Sequence, residues 1–362
     1  MRLSVDVSAR EDIPPWLAYG APVFTVIAAL VVGSVTLVAV GVNPLAAYVD
    51  MFVVTATQPF GILQTLTKAI PLVLAGLAVY LPLRANLWNI GAQGQIYLGA
   101  IVGTWVGINV DGGAFTIPLL LVGAAVGGGL WGAVPGWLRA VYGVNEIITT
   151  LMMTFIATLF TNYLVRGPMQ GGSGNFPQSA SLPQAAQLPF IVGPLHVGIV
   201  VALLLTVAVW VLIKRTRLGY EIVFTGSNPD AAEQAGMDRA RIYFTVLVLG
   251  GALAGLAGVV EIAGIQYRLR PGFSPGYGFT AIPIALLGRN GALQVLVASL
   301  FFALVFVGGS TITVNYGVPA SIVSIIQALI ILFLITAEFV KQYSVSLGIE
   351  RAAAGASVGE GA

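Results

Sequence analysis

The sequence predicts an all-α polytopic membrane protein of about ten transmembrane helices, some of them broken or half-length. Three observations predict it. Of 362 residues, 8% are charged and 57% hydrophobic, and the mean hydropathy is +0.94, whereas water-soluble domains carry about 25% charged residues. Nine apolar runs are close to the ~20 residues that cross a hydrocarbon core. The runs are continuous, where a membrane strand would alternate over ~10 residues. The 45 glycines suit close helix packing.

Taken in order, the runs are 22–42, 61–83, 90–110, 115–138, 147–165, 190–213, 242–262, 293–309 and 319–337. A tenth, 279–288, is too short for an ordinary span and reads as a half helix. The first run is too long for the ~7–15 apolar residues of a signal peptide and follows a mixed leader, so it reads as the first span. With residues 1–20 in the cytoplasm, ten passages place twelve of the 16 basic residues inside. Lys68, Arg166, Arg268 and Arg270 fall outside, a distribution that follows the positive-inside rule. Both termini are expected to be cytoplasmic. The chain then divides into an N-terminal segment 1–20, a transmembrane domain 21–341 and a flexible tail 342–362. The loop 166–190, rich in Gly, Ser, Pro and Gln, faces outward as either a solvated connection or a docking surface.

Composition also excludes functions. There is no cysteine, hence no disulfide, thiolate metal site or cysteine nucleophile, and no metal site is read from the remaining residues. Basic residues sit at helix ends without interleaved aromatics, so no nucleic-acid partner is expected. Residues Gly272 to Gly276 match G-x-S-x-G, but Pro275 lacks the N–H that an esterase oxyanion hole requires. The single histidine, His196, has no acid partner in the sequence and reads as a surface residue. No enzyme activity is predicted.

The polar island 214–241 interrupts the apolar chain with helix signals. Asn228 is a cap type, Pro229 fits the first helical position, Asp230 suits the positive end of the dipole, and Gly236 supplies a left-handed stop. A helix of about two turns over 229–235 follows, its surface offered by Ala231, Ala232 and Ala235. Asp238 can cap the next membrane helix. The island reads either as a docking element or as a solvated loop.

A path for a polar solute needs hydrogen-bonding groups inside the bundle. Candidates are Asn89, Gln93 and Gln95 near the third span, Asn145, Glu146 and Thr150 at the fifth, and Glu261, Gln266 and Tyr267 at the end of the seventh. Asn145 and Glu146 also stand where a helix dipole favours them as caps. Phe273, Tyr277 and Phe279, set among glycines, form either a stacking surface for a ring or an interfacial aromatic belt.

Four stretches in order carry a family resemblance: ANLWNIGAQGQIYLGA from Ala85, GVNEIITTLMMTFIA from Gly143, GYEIVFTGSNPDAAEQAGM from Gly219 and YRLRPGFSPGYGFTAIPIALLGR from Tyr267. Over residues 61–339 the chain resembles ABC importer permeases of the branched-chain amino acid, ribose and nucleoside type, most of all the nucleoside and simple-sugar branch. Gln93, Asn145 and Thr280 depart from that pattern, and such polar positions bear on substrate identity. The resemblance implies a multi-pass permease of the cell membrane, a second identical or homologous permease subunit, two cytoplasmic ATPase subunits and an external binding protein. ATP and Mg would be bound by the ATPase subunits and no cofactor by this chain, in which no phosphate-loop motif occurs. It further implies that Gly219, Tyr220, Glu221, Thr225, Gly226, Asn228, Pro229, Ala231, Ala232 and Gly236 couple the bundle to the ATPases. The alternative is a secondary transporter driven by an ion gradient, which composition and broken helices fit equally.

Overall fold

A computed structural model describes residues 2–9, 14–172 and 176–350. Arg10, Arg351, loop residues 173–175 and the tail 351–362 lie outside the described residues. The chain opens with β1 (Arg2–Ala9) and α1 (Pro15–Ala39). A short apolar passage follows, made of α2 (Pro44–Tyr48), a π-helical turn Val49–Val54 and α3 (Thr55–Thr57). Then come α4 (Pro59–Arg84), α5 (Ala92–Asn109), α6 (Thr116–Tyr142) and α7 (Glu146–Arg166). A hairpin of β2 (Phe190–Val192) and β3 (Leu195–His196) leads to α8 (Gly198–Arg215). The island forms α9 (Arg217–Ser227) and α10 (Pro229–Gln234), and the chain continues as α11 (Arg239–Glu261). It closes with α12 (Tyr277–Leu287), α13 (Ala292–Tyr316), α14 (Ala320–Gln342) and β4 (Tyr343–Glu350).

Among the described residues, eight helices are long and apolar enough to span a membrane, and 277–287 is a shorter apolar helix, as expected of a half helix. Helix α5 is the expected third span, more polar than the eight because Gln93, Gln95 and Thr104 lie in it, all buried. Two expectations are corrected. The sixth span begins at Gly198 rather than 190, because Gly193 and Pro194 turn the preceding apolar residues into a hairpin. The stretch expected to be a loose tail from 342 begins with β4, which pairs antiparallel with β1 from Arg2↔Glu350 to Ala9↔Tyr343.

Helices α4 and α11 form the centre, with α5 and α6 around them and α1 paired with α14 at the periphery. Glycines set how closely the central helices approach. A Cβ at Gly255 would lie 3.1 Å from both the Ala124 carbonyl carbon and Gly128 Cα on α6, and one at Gly250 would lie 2.7 Å from the Ala78 carbonyl oxygen on α4. With lipid offering apolar groups as good as leucine, backbone contact of this kind is what holds membrane helices together. The peripheral helices present Phe24, Val31, Val35, Leu159 and Val297 outward, the surface a hydrocarbon solvent requires.

Candidate functional site

Two regions at opposite ends of the bundle hold the residues singled out from sequence. At one end the island folds as its caps dictate. The Asn228 side chain accepts from the Ala231 N–H at 3.0 Å, Gly236 adopts φ +79°, and Asp238 accepts from the Arg241 N–H at 2.9 Å. Helix α9, unforeseen in the sequence, is capped by Thr216, which accepts from the Gly219 N–H at 3.1 Å. It buries Gly219, Ile222 and Thr225 while Tyr220 stays exposed and Glu221 pairs with Arg217 at 2.8 Å. The Thr cap and apolar residues at 218 and 222 are the signals from which α9 could have been read.

Gly226 fixes this unit to the core. A Cβ there would press into the Arg84 carbonyl oxygen and lie 3.0 Å from Ala85 Cα, so α9 sits directly on the end of α4. The Arg84 guanidinium in turn donates to the Arg289 carbonyl at 3.1 Å, tying the end of α12 to the same place. Ala232, expected at the surface, is buried, because the N–H of Met237 returns to its carbonyl and folds the turn over it. The outward face of α10 is Asp230, Glu233 and Gln234, continued by Ala235 at its end, with Ala231 half-buried.

At this end too, the Glu146 carboxylate pairs with Arg139 at 3.4 Å and accepts from the Trp88 N–H at 3.4 Å. Asn145 caps α7 by accepting from the Ile147 N–H, and the Thr150 hydroxyl donates to the Glu146 carbonyl. Asn145 thus caps, Glu146 pairs, and Thr150 bonds back within its own helix. Asn89 and Gln95 exchange two hydrogen bonds, at 2.8 and 3.1 Å, and Asn89 also donates to the Ala78 carbonyl of α4.

The second region lies where α11 ends. After Glu261 the helix widens into a π-turn, Ile262–Gln266, and Tyr267 stops it in the left-handed region at φ 56°. Such π-turns are frequent at functional sites. Glu261, 3% exposed, receives a hydrogen bond from the Gln266 amide at 3.0 Å and stands 4.0 Å from the Lys68 ammonium of α4. Lys68 donates to the Tyr277 hydroxyl at the start of α12. Gln266 donates again to the Phe273 carbonyl at 2.8 Å. One step away, Gln93 accepts from the Gly278 N–H at 2.7 Å and donates to Ser274 at 3.1 Å. Above Lys68 opens a cavity of about 520 Å³ walled by Tyr267, Gln64, Ser310, Phe190 and Phe306.

The structure therefore gathers Gln93, Glu261, Gln266, Tyr267, Phe273 and Tyr277 into one region. Phe279 is not part of it: it is exposed, while Phe273 packs edge-on against Tyr97 and Tyr277 against Phe306, so the three rings share no face. Lys68 was missed as a site residue, although a lysine eight residues into an apolar run was a visible signal.

The hairpin end is laced to this region. Main-chain N–H groups of Ser179, Leu182 and Leu188 donate to the carbonyls of Leu269, Tyr267 and Ala263 at 2.8–2.9 Å. His196, expected at the surface, is fully buried. Its Nδ1 accepts from the Gly198 N–H at 3.1 Å, and its ring fills the space against Gly264, where a Cβ would lie 2.7 Å from Cδ2. Burial pushes the imidazole down to about 4 from its ordinary 6.5.

A family model described as "branched-chain amino acid transport system / permease component" matches residues 61–335. The glucose ABC transporter permease protein TsgB13 of Haloferax volcanii is 55% identical over 97% of this chain and 96% of its own length. The guanosine ABC transporter permease protein NupP of Bacillus subtilis is 34% identical over 88% of this chain and 94% of its own. The nucleoside ABC transporter permease protein NupB of Lactococcus lactis is 31% identical over 86% and 89%.

Proposed function

The chain belongs to the permease components of branched-chain amino acid transport systems, a multi-pass subunit of an ABC importer in the cell membrane, and we propose that its solute is a simple sugar or a nucleoside. The sugar is favoured, because the relative with the higher identity is a glucose permease. In this reading α10 and both chain ends face the cytoplasm, and the hairpin faces outward to meet a binding protein that delivers the solute. Two ATPase subunits bind ATP and Mg and dock on α9 and α10, and a second permease subunit completes the assembly.

One observation carries the coupling. Helix α9 is seated through Gly226 on the last carbonyls of α4, and α4 reaches Lys68 at the outer cavity. Sixteen residues separate Lys68 from Arg84, so one continuous helix about 24 Å long, with Pro71 and Pro82 inside it, joins the docking element to the solute side. When closing ATPases push on α10, α4 transmits the displacement, and packed helices answer by shifting between discrete arrangements. Tyr220, Asn228 and the outer face of α10 meet the ATPase, while Gly219, Thr225, Gly226 and Ala232 hold the unit to the bundle.

The test is reconstitution of the permease with its ATPases and binding protein in liposomes, following labelled glucose and guanosine. ATP-dependent accumulation of one of them is expected. Gly236→Pro, which forces φ to about −65° where the turn needs +79°, should abolish it without preventing membrane insertion. Accumulation by this chain alone under a proton or sodium gradient would instead establish a secondary transporter.

A further inference from the structure

We infer that the groove between α1, α13 and α14 seats one hydrocarbon chain of an anionic phospholipid, whose phosphate is held beside Arg289. The inference goes beyond the importer reading, since it needs only that the long helices lie in a bilayer.

Helix α1 is closed onto the bundle at its middle and stands away from α13 before that point. The Tyr48 hydroxyl donates to the Leu30 carbonyl at 2.8 Å, and a Cβ at Gly33 would lie 3.1 Å from that hydroxyl and 3.3 Å from Ile326 of α14. Before Leu30 a gap opens. Its walls are Val23, Val26 and Ile27 of α1 against Val297, Ala298 and Phe301 of α13, around a space of about 610 Å³. Gln294 is the one polar residue among those that line it.

An apolar space does not take up water, and wall atoms left without neighbours forfeit their dispersion contacts. Hydrocarbon can fill it. The dimensions suit a chain from one leaflet: Gln294 to Phe301 covers about 10 Å of α13 and Pro22 to Leu30 about 12 Å of α1, within the ~15 Å of half a hydrocarbon core.

The charge lies at one end. Leu287 and Gln294 line that end, and the turn between them exposes Arg289 and Asn290. The Arg84 guanidinium donates to the Arg289 carbonyl at 3.1 Å, so two arginines stand at one level, and neither forms an ion pair among the described residues. A guanidinium presents paired N–H donors that match a phosphate, and basic positions between membrane helices recognise anionic headgroups. A helix of another protein chain packed in the groove would leave this charge unanswered. A phospholipid brings its phosphate to that depth when its chain lies along α13.

The test places the assembled transporter in liposomes containing phosphatidylglycerol or phosphatidylcholine with a photoactivatable diazirine in the chain, and maps the labelled residues by mass spectrometry. Val23, Ile27, Val297 and Phe301 should be labelled more than Leu203, Leu204 and Val207, which are exposed on α8. Phosphatidylglycerol should label the groove about fivefold more than phosphatidylcholine, the equivalent of the ~1 kcal/mol that one basic residue contributes near an anionic headgroup. Arg289→Gln should remove this preference while labelling by both lipids continues. Ala298→Phe, which fills the groove from its floor, should lower labelling there to the level of α8. Groove labelling no greater than that of α8 in the parent protein would overturn the inference, as would an unchanged headgroup preference in Arg289→Gln. Cross-links from Ile27 or Val297 to the second permease subunit, with no lipid label, would give the groove to that subunit instead.

Discussion

Replacing Gly226 by alanine adds one methyl group where the structure has no room for it. The added Cβ would overlap the Arg84 carbonyl oxygen and lie 3.0 Å from both the Arg84 carbonyl carbon and Ala85 Cα. Ordinary van der Waals separation is roughly 3.5–4.0 Å, so α9 must lift from α4 by about 1 Å. The obstacle is main chain, which cannot swing aside as a side chain would. Overpacking of this kind costs about 1–3 kcal/mol, and at 1.4 kcal/mol per tenfold the seated arrangement loses roughly five- to a hundredfold in population. The spans are untouched, so membrane insertion and binding of the ATPase should persist. Solute moved per ATP hydrolysed should therefore fall by about that factor in liposomes containing the full transporter, with hydrolysis itself retained. Equal stoichiometry in the variant and the parent would refute the assignment of α4 as the transmitting helix.

Two further outcomes follow from packing and burial. Gly255→Val should lower the yield of folded protein and its melting temperature in detergent, because the new side chain meets Ala124 and Gly128 backbone at 3.1 Å or closer; about 1–3 kcal/mol is expected, and an unchanged melting temperature would contradict the close α6–α11 crossing. His196 protonates in the unfolded chain near its ordinary 6.5 but in the folded chain only near 4. The unfolded state therefore binds more protons between these values, so stability is intact above 6.5 and falls by about 1.4 kcal/mol per pH unit on the way down to about 4. Melting curves from pH 7 to 4.5 should show this slope, and His196→Asn, which can still accept from Gly198, should flatten it; parallel slopes would refute the assignment.

What was legible in the sequence was what is decided locally or by composition. Spans follow from apolar length, and the turn at 228–238 follows from Asn228, Gly236 and Asp238, whose partners lie within a few residues. The half helix at 277–287 was visible as an apolar run too short to cross. The pairing of Lys68 with Glu261 was not legible, because it joins residues 193 positions apart and depends on how α4 meets α11. The hairpin at 190–196 was hidden by its composition, which is as apolar as a span, although Gly193 and Pro194 marked the turn. His196 was misplaced for the same reason: burial under Gly264 is a tertiary event. The exposed position of Phe279 was equally beyond reach, since the glycine before it does not say which way the ring turns.

The lacing of residues 179–188 to 263–269 uses peptide groups and one buried side chain, the Ser179 hydroxyl, which accepts from the Leu269 N–H at 2.9 Å. A tug on that strap reaches the turn beside the buried acid whatever amino acids stand at its exposed positions, so its visible surface can be remodelled while the seam beneath it stays the same.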